Sequence, residues 1–213
     1  MARKITALQV QKNHPDRVNV YLDGEFAFGL YRVVAAWLTV GQELSEAKIQ
    51  QLLAAEAEEK AYQRALNFLS YRVRSEAEVR QNLRKHDTPD AVIEAVIERL
   101  RRHHLLDDVA FARAWVENRN TFRPRGRRAL RHELRQKGVA DSVIAEALES
   151  LDENELALQA ARKKARSLRG LDYQTFRQKM LGFLSRRGFP YEVCAAAIEQ
   201  VWSEQNSTGG SNR

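Results

Sequence analysis

Between Val18 and Leu30 apolar and polar side chains alternate. Val18, Val20 and Leu22 interleave with Asn19 and Tyr21; beyond Asp23-Gly24, Phe26, Phe28 and Leu30 interleave with Ala27 and Gly29. A period of two predicts strands, and Asp-Gly supplies the left-handed backbone that a two-residue hairpin turn demands. Residues Ile5–Val10 predict a third strand, reached through a turn at Asn13-His14-Pro15-Asp16. Everything after these strands predicts helix. Ser45 suits an N-cap, Glu46 complements the positive end of the helix dipole, and Ile49, Leu52 and Leu53 recur at helical spacing.

From about residue 59 the pattern repeats. With Leu83, Leu134 and Leu184 aligned, Val79, Leu130 and Met180 coincide, as do Val92-Ile93, Val143-Ile144 and Val193-Cys194. Ile97, Leu148 and Ile198 superpose, then Leu100, Leu151 and Val201, with offsets of 51 and 50 residues. Each unit reads as two helices around a turn: His86-Asp87-Thr88-Pro89, Lys137-Gly138-Val139-Ala140 and Arg187-Gly188-Phe189-Pro190. Gly138 and Gly188 suit a left-handed helix end, and Pro89 and Pro190 suit the start of the next helix. A further helical stretch precedes each pair: Ala61–Tyr71, Val109–Arg119 and Glu155–Leu168. The expected fold is therefore mainly α. An elongated array of three tandem three-helix modules (residues 59–105, 106–152 and 153–204) follows a small N-terminal β-hairpin element with a helix (1–58). Residues 205–213 lack an apolar anchor and are expected to form a disordered tail.

Composition narrows the class. Of 213 residues 44% are hydrophobic, enough to build cores. The apolar runs Val33–Leu38 and Val193–Ile198 are far too short to span a bilayer, and no secretory pattern opens the chain. The single cysteine, Cys194, allows no internal disulfide, which excludes a knottin or zinc-finger array and fits a cytoplasmic protein. Charge changes the picture more. The net +7 is concentrated: residues 113–137 hold nine bases against Glu117 and Glu133, and residues 162–187 hold nine against Asp172. Between them, residues 138–161 carry six acids and no base. Two cationic blocks of this density attract phosphates or an acidic protein face.

The candidate chemistry is that of binding. Asp107-Asp108 precede a helix and read as a cap, because adjacent helical carboxylates point about 100° apart and do not converge on one atom. His103 and His104 lack metal-ligand spacing, Cys194 aligns with core positions, and the common phosphate-loop, serine-elbow and zinc-protease motifs are absent. No cofactor, metal or catalytic residue is expected. Ser75 and Glu78 form a capping box, which leaves Arg72 and Arg74 as either partner contacts or structural ion pairs. The densest cationic element is the turn Arg123-Pro124-Arg125-Gly126-Arg127-Arg128, followed by Arg131. Such a cluster is expected to bind a partner, and guanidinium forks suit phosphates and carboxylates equally well. Lys163, Lys164, Arg186 and Arg187 extend the surface, with Arg119 beside it; Phe122 and Trp115 offer rings for bases, although Trp115 at i+4 from Phe111 also suits a core. Replacing Arg125, Arg127 and Arg128 with alanine is expected to weaken binding and leave folding intact.

Four signatures taken together resemble one family. They are Arg72-Val73-Arg74-Ser75-Glu76 with Glu78-Val79 and Leu83; Leu106-Asp107-Asp108 with Phe111-Ala112, Trp115-Val116 and Arg119; Gly126, Leu130, Glu133-Leu134 and Lys137-Gly138; and Arg187-Gly188-Phe189. In this order they resemble the RecX family of bacterial recombinase regulators over about residues 60–202. The resemblance implies tandem three-helix modules and a non-enzymatic partner of the RecA recombinase filament on single-stranded DNA. It implies lowered ATP hydrolysis, strand exchange and co-protease activity, in homologous recombination, DNA repair and the SOS response. The alternative is a helix-turn-helix-like protein acting directly on DNA phosphates. No membrane partner is expected, and the chain is expected to be a monomer.

Overall fold

The computed structural model describes residues 2–209. Its contacts divide the chain into two units, one of residues 1–74 with 79–106 and one of residues 75–78 with 107–213.

In the first unit, β1 (Arg3–Gln11), β2 (His14–Leu22) and β3 (Glu25–Tyr31) are antiparallel neighbours. Asp23 and Gly24 take φ of 52° and 90°, the mirror-image turn expected of Asp-Gly. The Asp23 carboxylate accepts from Lys4 N and Arg3 Nε at 2.9 Å each, and these bonds hold it below the usual carboxylate range. The other turn is a correction: it falls at Lys12-Asn13, and the strand already resumes at His14. Pro15 is tolerated because it lies where the pairing register shifts and no ladder bond requires its missing N–H. Two short elements escaped the periodicity, α1 (Arg32–Ala35) and β4 (Glu43–Leu44), which pairs with β1 to complete the order β3-β2-β1-β4.

The next helix, α2 (Glu46–Ser70), has Ser45 as its N-cap, accepting from Lys48 N at 3.2 Å. It contains no glycine or proline and runs unbroken through residues 58 and 59, where the sequence suggested a module boundary. Its first half closes the sheet core with Ile5, Val20, Leu22 and Leu30; its second half enters another core with Val79, Leu83, Ile93 and Ile97. Two buried glutamates on α2 are paired rather than orphaned. Glu56 accepts from Arg17 Nη2 at 2.7 Å and Tyr31 N at 2.6 Å; Glu59 accepts from Arg99 Nη1 at 2.6 Å. With α3 (Glu76–Arg84) and α4 (Asp90–Arg102), α2 forms the first three-helix core.

The second unit holds α5 (Asp108–Phe122), α6 (Arg127–Gln136) and α7 (Asp141–Leu148), then α8 (Glu153–Ala165), α9 (Tyr173–Arg186) and α10 (Tyr191–Gly209). Each trio has its own core, and the aligned apolar positions Leu130, Leu134 and Ile144, and Met180, Leu184 and Cys194, are fully buried in them. Burial pushes the Cys194 thiol up, away from reactivity. The expected tail falls partly within α10, which continues to Gly209, and partly on residues 210–213, outside the described residues. No described helix is long and apolar enough to cross a membrane.

Inside this unit one junction occurs twice. Ser75 Oγ donates to Lys137 O at 2.6 Å, Glu76 N donates to Asp108 Oδ1 at 2.8 Å, and Lys137 Nζ pairs with Glu78 Oε1 at 2.8 Å. One repeat later, Gly126 N donates to Arg187 O at 2.9 Å and Arg127 N to Glu153 Oε1 at 2.8 Å. By the 51- and 50-residue offsets, Gly126 corresponds to Ser75 and Arg187 to Lys137. Asp108 and Glu153 each open the first helix of a module, just after the caps Asp107 and Asp152. The first helix of one module thus finishes the exposed N–H groups of the helix docked on it.

Close approach explains the glycines. Gly138 and Gly188 have φ of 73° and 87°; an added Cβ would lie 2.2 Å from Ala77 Cβ in the first case and 2.5 Å from Ala129 N in the second. Asp87 holds the same position in the first repeat with φ of 56° and is exposed. There the backbone conformation alone matters, and an aspartate meets it. Gly138→Ala and Gly188→Ala are therefore expected to lower stability by about 2–4 kcal/mol, backbone strain plus overpacking. Asp87→Ala is expected to cost only about 1 kcal/mol, the added left-handed strain of alanine with no steric clash. Urea denaturation separates the cases, and equal losses at all three sites would refute the steric account.

Candidate functional site

The twelve basic residues singled out by sequence separate into distinct environments. Arg72 and Arg74 belong to the first unit. Arg74 stacks 3.9 Å from the Phe68 ring and its Nε donates to Phe68 O at 3.4 Å; Arg72 Nη1 donates to Val73 O at 2.9 Å. Both follow the last turn of α2, and Arg74 packs back onto it through Phe68. The capping box beside them is present, with Glu78 N and Ser75 Oγ, and Ser75 N and Glu78 Oε2, each 3.3 Å apart.

The other ten lie in the second unit, and three of them are drawn inward. Glu133 of α6, with its side chain 12% exposed, accepts from Trp115 Nε1 and Arg119 Nε at 2.8 Å and pairs with Arg125 Nη1 at 2.7 Å. Trp115 is half-buried, tilted against Phe111, with the Arg119 guanidinium 4.6 Å and the Lys137 ammonium 5.3 Å from its centroid. The indole is a core and ion-pair element, and its faces are not offered to bases. Arg127 donates to the carbonyls of Leu148 and Leu151 and lies 3.7 Å from Glu153. It satisfies carbonyls at the end of α7 and just beyond it, which an internal cation does well. The expectation that Arg125→Ala and Arg127→Ala leave folding intact is therefore corrected: both guanidiniums hold packed elements together.

Seven cations remain. Arg123, Arg128, Arg131, Lys163 and Arg186 are exposed and Lys164 and Arg187 half-buried, and none pairs with a carboxylate among the described residues. Pro124 and Gly126 place Arg123 and Arg128 on either side of a turn whose backbone is bonded to Arg187 O. Arg187 Nη1 donates to Pro124 O at 3.1 Å, and its guanidinium lies 4.4 Å from the Phe183 ring, which Lys164 also faces at 5.8 Å. Burial, then Arg125 and Arg123, hold the Arg187 guanidinium below the usual arginine range. Desolvation is the larger part of that depression, and the repulsion of two neighbouring guanidiniums adds to it. The acidic stretch 138–161 forms ion pairs with other arginines, through Glu146 to Arg113, Asp141 to Arg135 and Glu153 to Arg127; among the described residues it forms none with these seven, although the field of Arg131 also reaches Asp141.

Sequence reasoning missed two aromatic neighbours. Phe183 lies under Arg187, and Tyr191, 57% exposed, lines a pocket of about 600 Å³ with Arg128 and Arg131. Phe122 stays 70% exposed at the end of α5. The signal for Tyr191 was available: the repeat places it where Asp90 and Asp141 stand.

The Glu133 cluster generates a direct expectation. Glu133→Gln should lower stability by about 2–3 kcal/mol, since one neutral amide cannot hold two guanidiniums and an indole N–H. Chemical denaturation measures it, and a loss below about 0.5 kcal/mol would contradict the assignment.

Comparison with known proteins accords with this architecture. Residues 3–45 match the regulatory protein RecX N-terminal domain, and residues 61–100, 107–148 and 152–198 match the first, second and third RecX three-helix domains. The Regulatory protein RecX of Bacillus velezensis is 36% identical over 207 residues, covering 95% of this chain and 79% of that protein. Its counterpart in Bacillus subtilis is 34% identical over 207 residues, 95% of this chain and 78% of that one. A crystal structure of regulatory protein RecX superposes with a TM-score of 0.77 at 33% identity, covering 92% of this chain and 99% of the other. With four consecutive domain matches and relatives of this identity across nearly its whole length, the chain belongs to the RecX regulatory protein family.

Proposed function

We propose that this protein is a non-enzymatic regulator of the RecA recombinase filament, acting in the cytoplasm as a monomer. It lowers the filament's ATPase, strand-exchange and co-protease activities within recombination, DNA repair and the SOS response. The family supports the choice of partner, and one structural observation supports the surface: seven cations, without carboxylate partners among the described residues, on α6, α8, the end of α9 and the turn before α6. A filament repeats the same anionic and protein features along its axis, so modest contacts from successive modules add through effective concentration. Such binding regulates only by favouring one filament conformation over another.

A second reading, a helix-turn-helix-like protein acting on bare DNA, draws on the same cations and on the tight turn at Gly126. The two readings separate in one assay. RecA ATPase on single-stranded DNA is titrated with this protein and with the variant Arg123→Ala/Lys163→Ala/Arg186→Ala. These three side chains are exposed and hold no ion pair, so the variant keeps its fold. The regulator reading expects inhibition below one protein per recombinase subunit and about tenfold weaker inhibition by the variant, roughly 0.5 kcal/mol per lost contact. Inhibition that appears only as the protein coats free DNA, and scales with that coating, would replace it with the second reading.

A further inference from the structure

The repeat breaks at one place, and a cavity opens there. In the first module Arg84 of α3 pairs with Asp90 of α4 at 3.1 Å, and in the second Arg135 of α6 pairs with Asp141 of α7 at 2.7 Å. The Asp141 carboxyl is held below its ordinary range by that arginine. The 51- and 50-residue offsets map Arg84 and Arg135 onto Ser185, and Asp90 and Asp141 onto Tyr191. Both partners of the ion pair are thus replaced together in the third module. A short hydroxyl stands where a guanidinium lay, and an aromatic ring stands where a carboxylate lay. At that place lies the pocket of about 600 Å³ bounded by Ser185, Tyr191, Phe189, Arg128 and Arg131, with the Arg127–Glu153 pair also in its lining.

We propose that this pocket binds single-stranded nucleic acid, with one unstacked base on the Tyr191 ring and its flanking phosphates on Arg128 and Arg131. Tyr191 is 57% exposed, and its hydroxyl accepts from Arg177 Nη2 at 2.9 Å, which fixes the ring's far edge and leaves its surface open. Pro190 and Phe189 continue an apolar wall beside it. Arg128 and Arg131 lie three residues apart on one face of α6, and neither holds a carboxylate. Removal of the aspartate found at this position in the other modules removes a charge that would repel phosphate; the carboxylate left in the lining, Glu153, is engaged by Arg127, whose backbone N donates to it at 2.8 Å and whose guanidinium lies 3.7 Å away. An acidic peptide would use the two guanidiniums and leave the flat ring without a planar partner. A base uses both, because every base has a π-face. A duplex keeps its bases stacked inside, so the ring selects single strands. The inference rests on the regulator reading for the source of that strand, the DNA of the filament.

The test compares wild type with Tyr191→Ala, Tyr191→Phe and the double variant Ser185→Arg/Tyr191→Asp, which rebuilds the ion pair of the other modules in place of the pocket. Binding is measured by fluorescence anisotropy to a twenty-nucleotide oligothymidylate, to a duplex of the same length and to a poly-glutamate peptide, with RecA ATPase inhibition in parallel. Tyr191→Ala and the double variant are expected to bind oligothymidylate about tenfold more weakly, with Tyr191→Phe close to wild type and duplex binding unchanged. The proposal is overturned if Tyr191→Ala binds oligothymidylate as wild type does. It is also overturned if oligothymidylate and duplex affinities fall equally, or if poly-glutamate shows the loss instead. If the oligothymidylate result holds while wild type leaves the ATPase unaffected, the regulator reading fails and the pocket stands. If wild type inhibits and the oligothymidylate affinities do not differ, the pocket alone fails.

Discussion

A short helix cannot satisfy its own first N–H groups, and in this protein the module that follows often satisfies them. Glu76 N rests on Asp108 and Arg127 N on Glu153, while Ser75 and Gly126 reach the backbone carbonyls of Lys137 and Arg187. The helices involved, α3 and α6, are only 9 and 10 residues long, too short to be stable without such help. The array is completed differently at its far end. There α9 is longer, at 14 residues, and carries its own cap, Asp172, which accepts from Thr175 N at 3.0 Å. Bonds from the helix it caps hold that carboxyl below its ordinary range.

The same junctions sort the arginines. A guanidinium close to a docked helix end is drawn to carbonyls or to a shared carboxylate and becomes part of the packing, as Arg127 and Arg125 do. One residue away, Arg128 is exposed and holds only a long bond, 3.4 Å, from Nη2 to Ser185 O. Density of positive charge in the sequence is thus a poor guide to how much of it a partner meets.

Periodicity made most of the fold legible. Strands β1 to β3, the Asp23-Gly24 turn, the caps Ser45 and Asp107 and the repeated core positions all follow from patterns of two or of three to four residues. Elements of two or four residues, such as β4 and α1, span too little chain to show any period. For the site, the repeat registered where the cations lie but not which were already engaged, because Glu133 and the carbonyls of Leu148 and Leu151 are distant in sequence from the arginines they hold. Trp115 shows the same gap: i+4 spacing from Phe111 placed it in a core, whereas its indole N–H bond to Glu133 needed the folded chain.

The unbroken α2 sets the borders of inherited domains against the borders of folding. Recognisable ancestry ends near residue 45 and resumes at residue 61, yet one 25-residue rod crosses that gap and roots in two apolar interiors. Strain or melting at either end is felt along a shared spine, so what evolution could shuffle as two pieces the finished molecule must gain or lose as one.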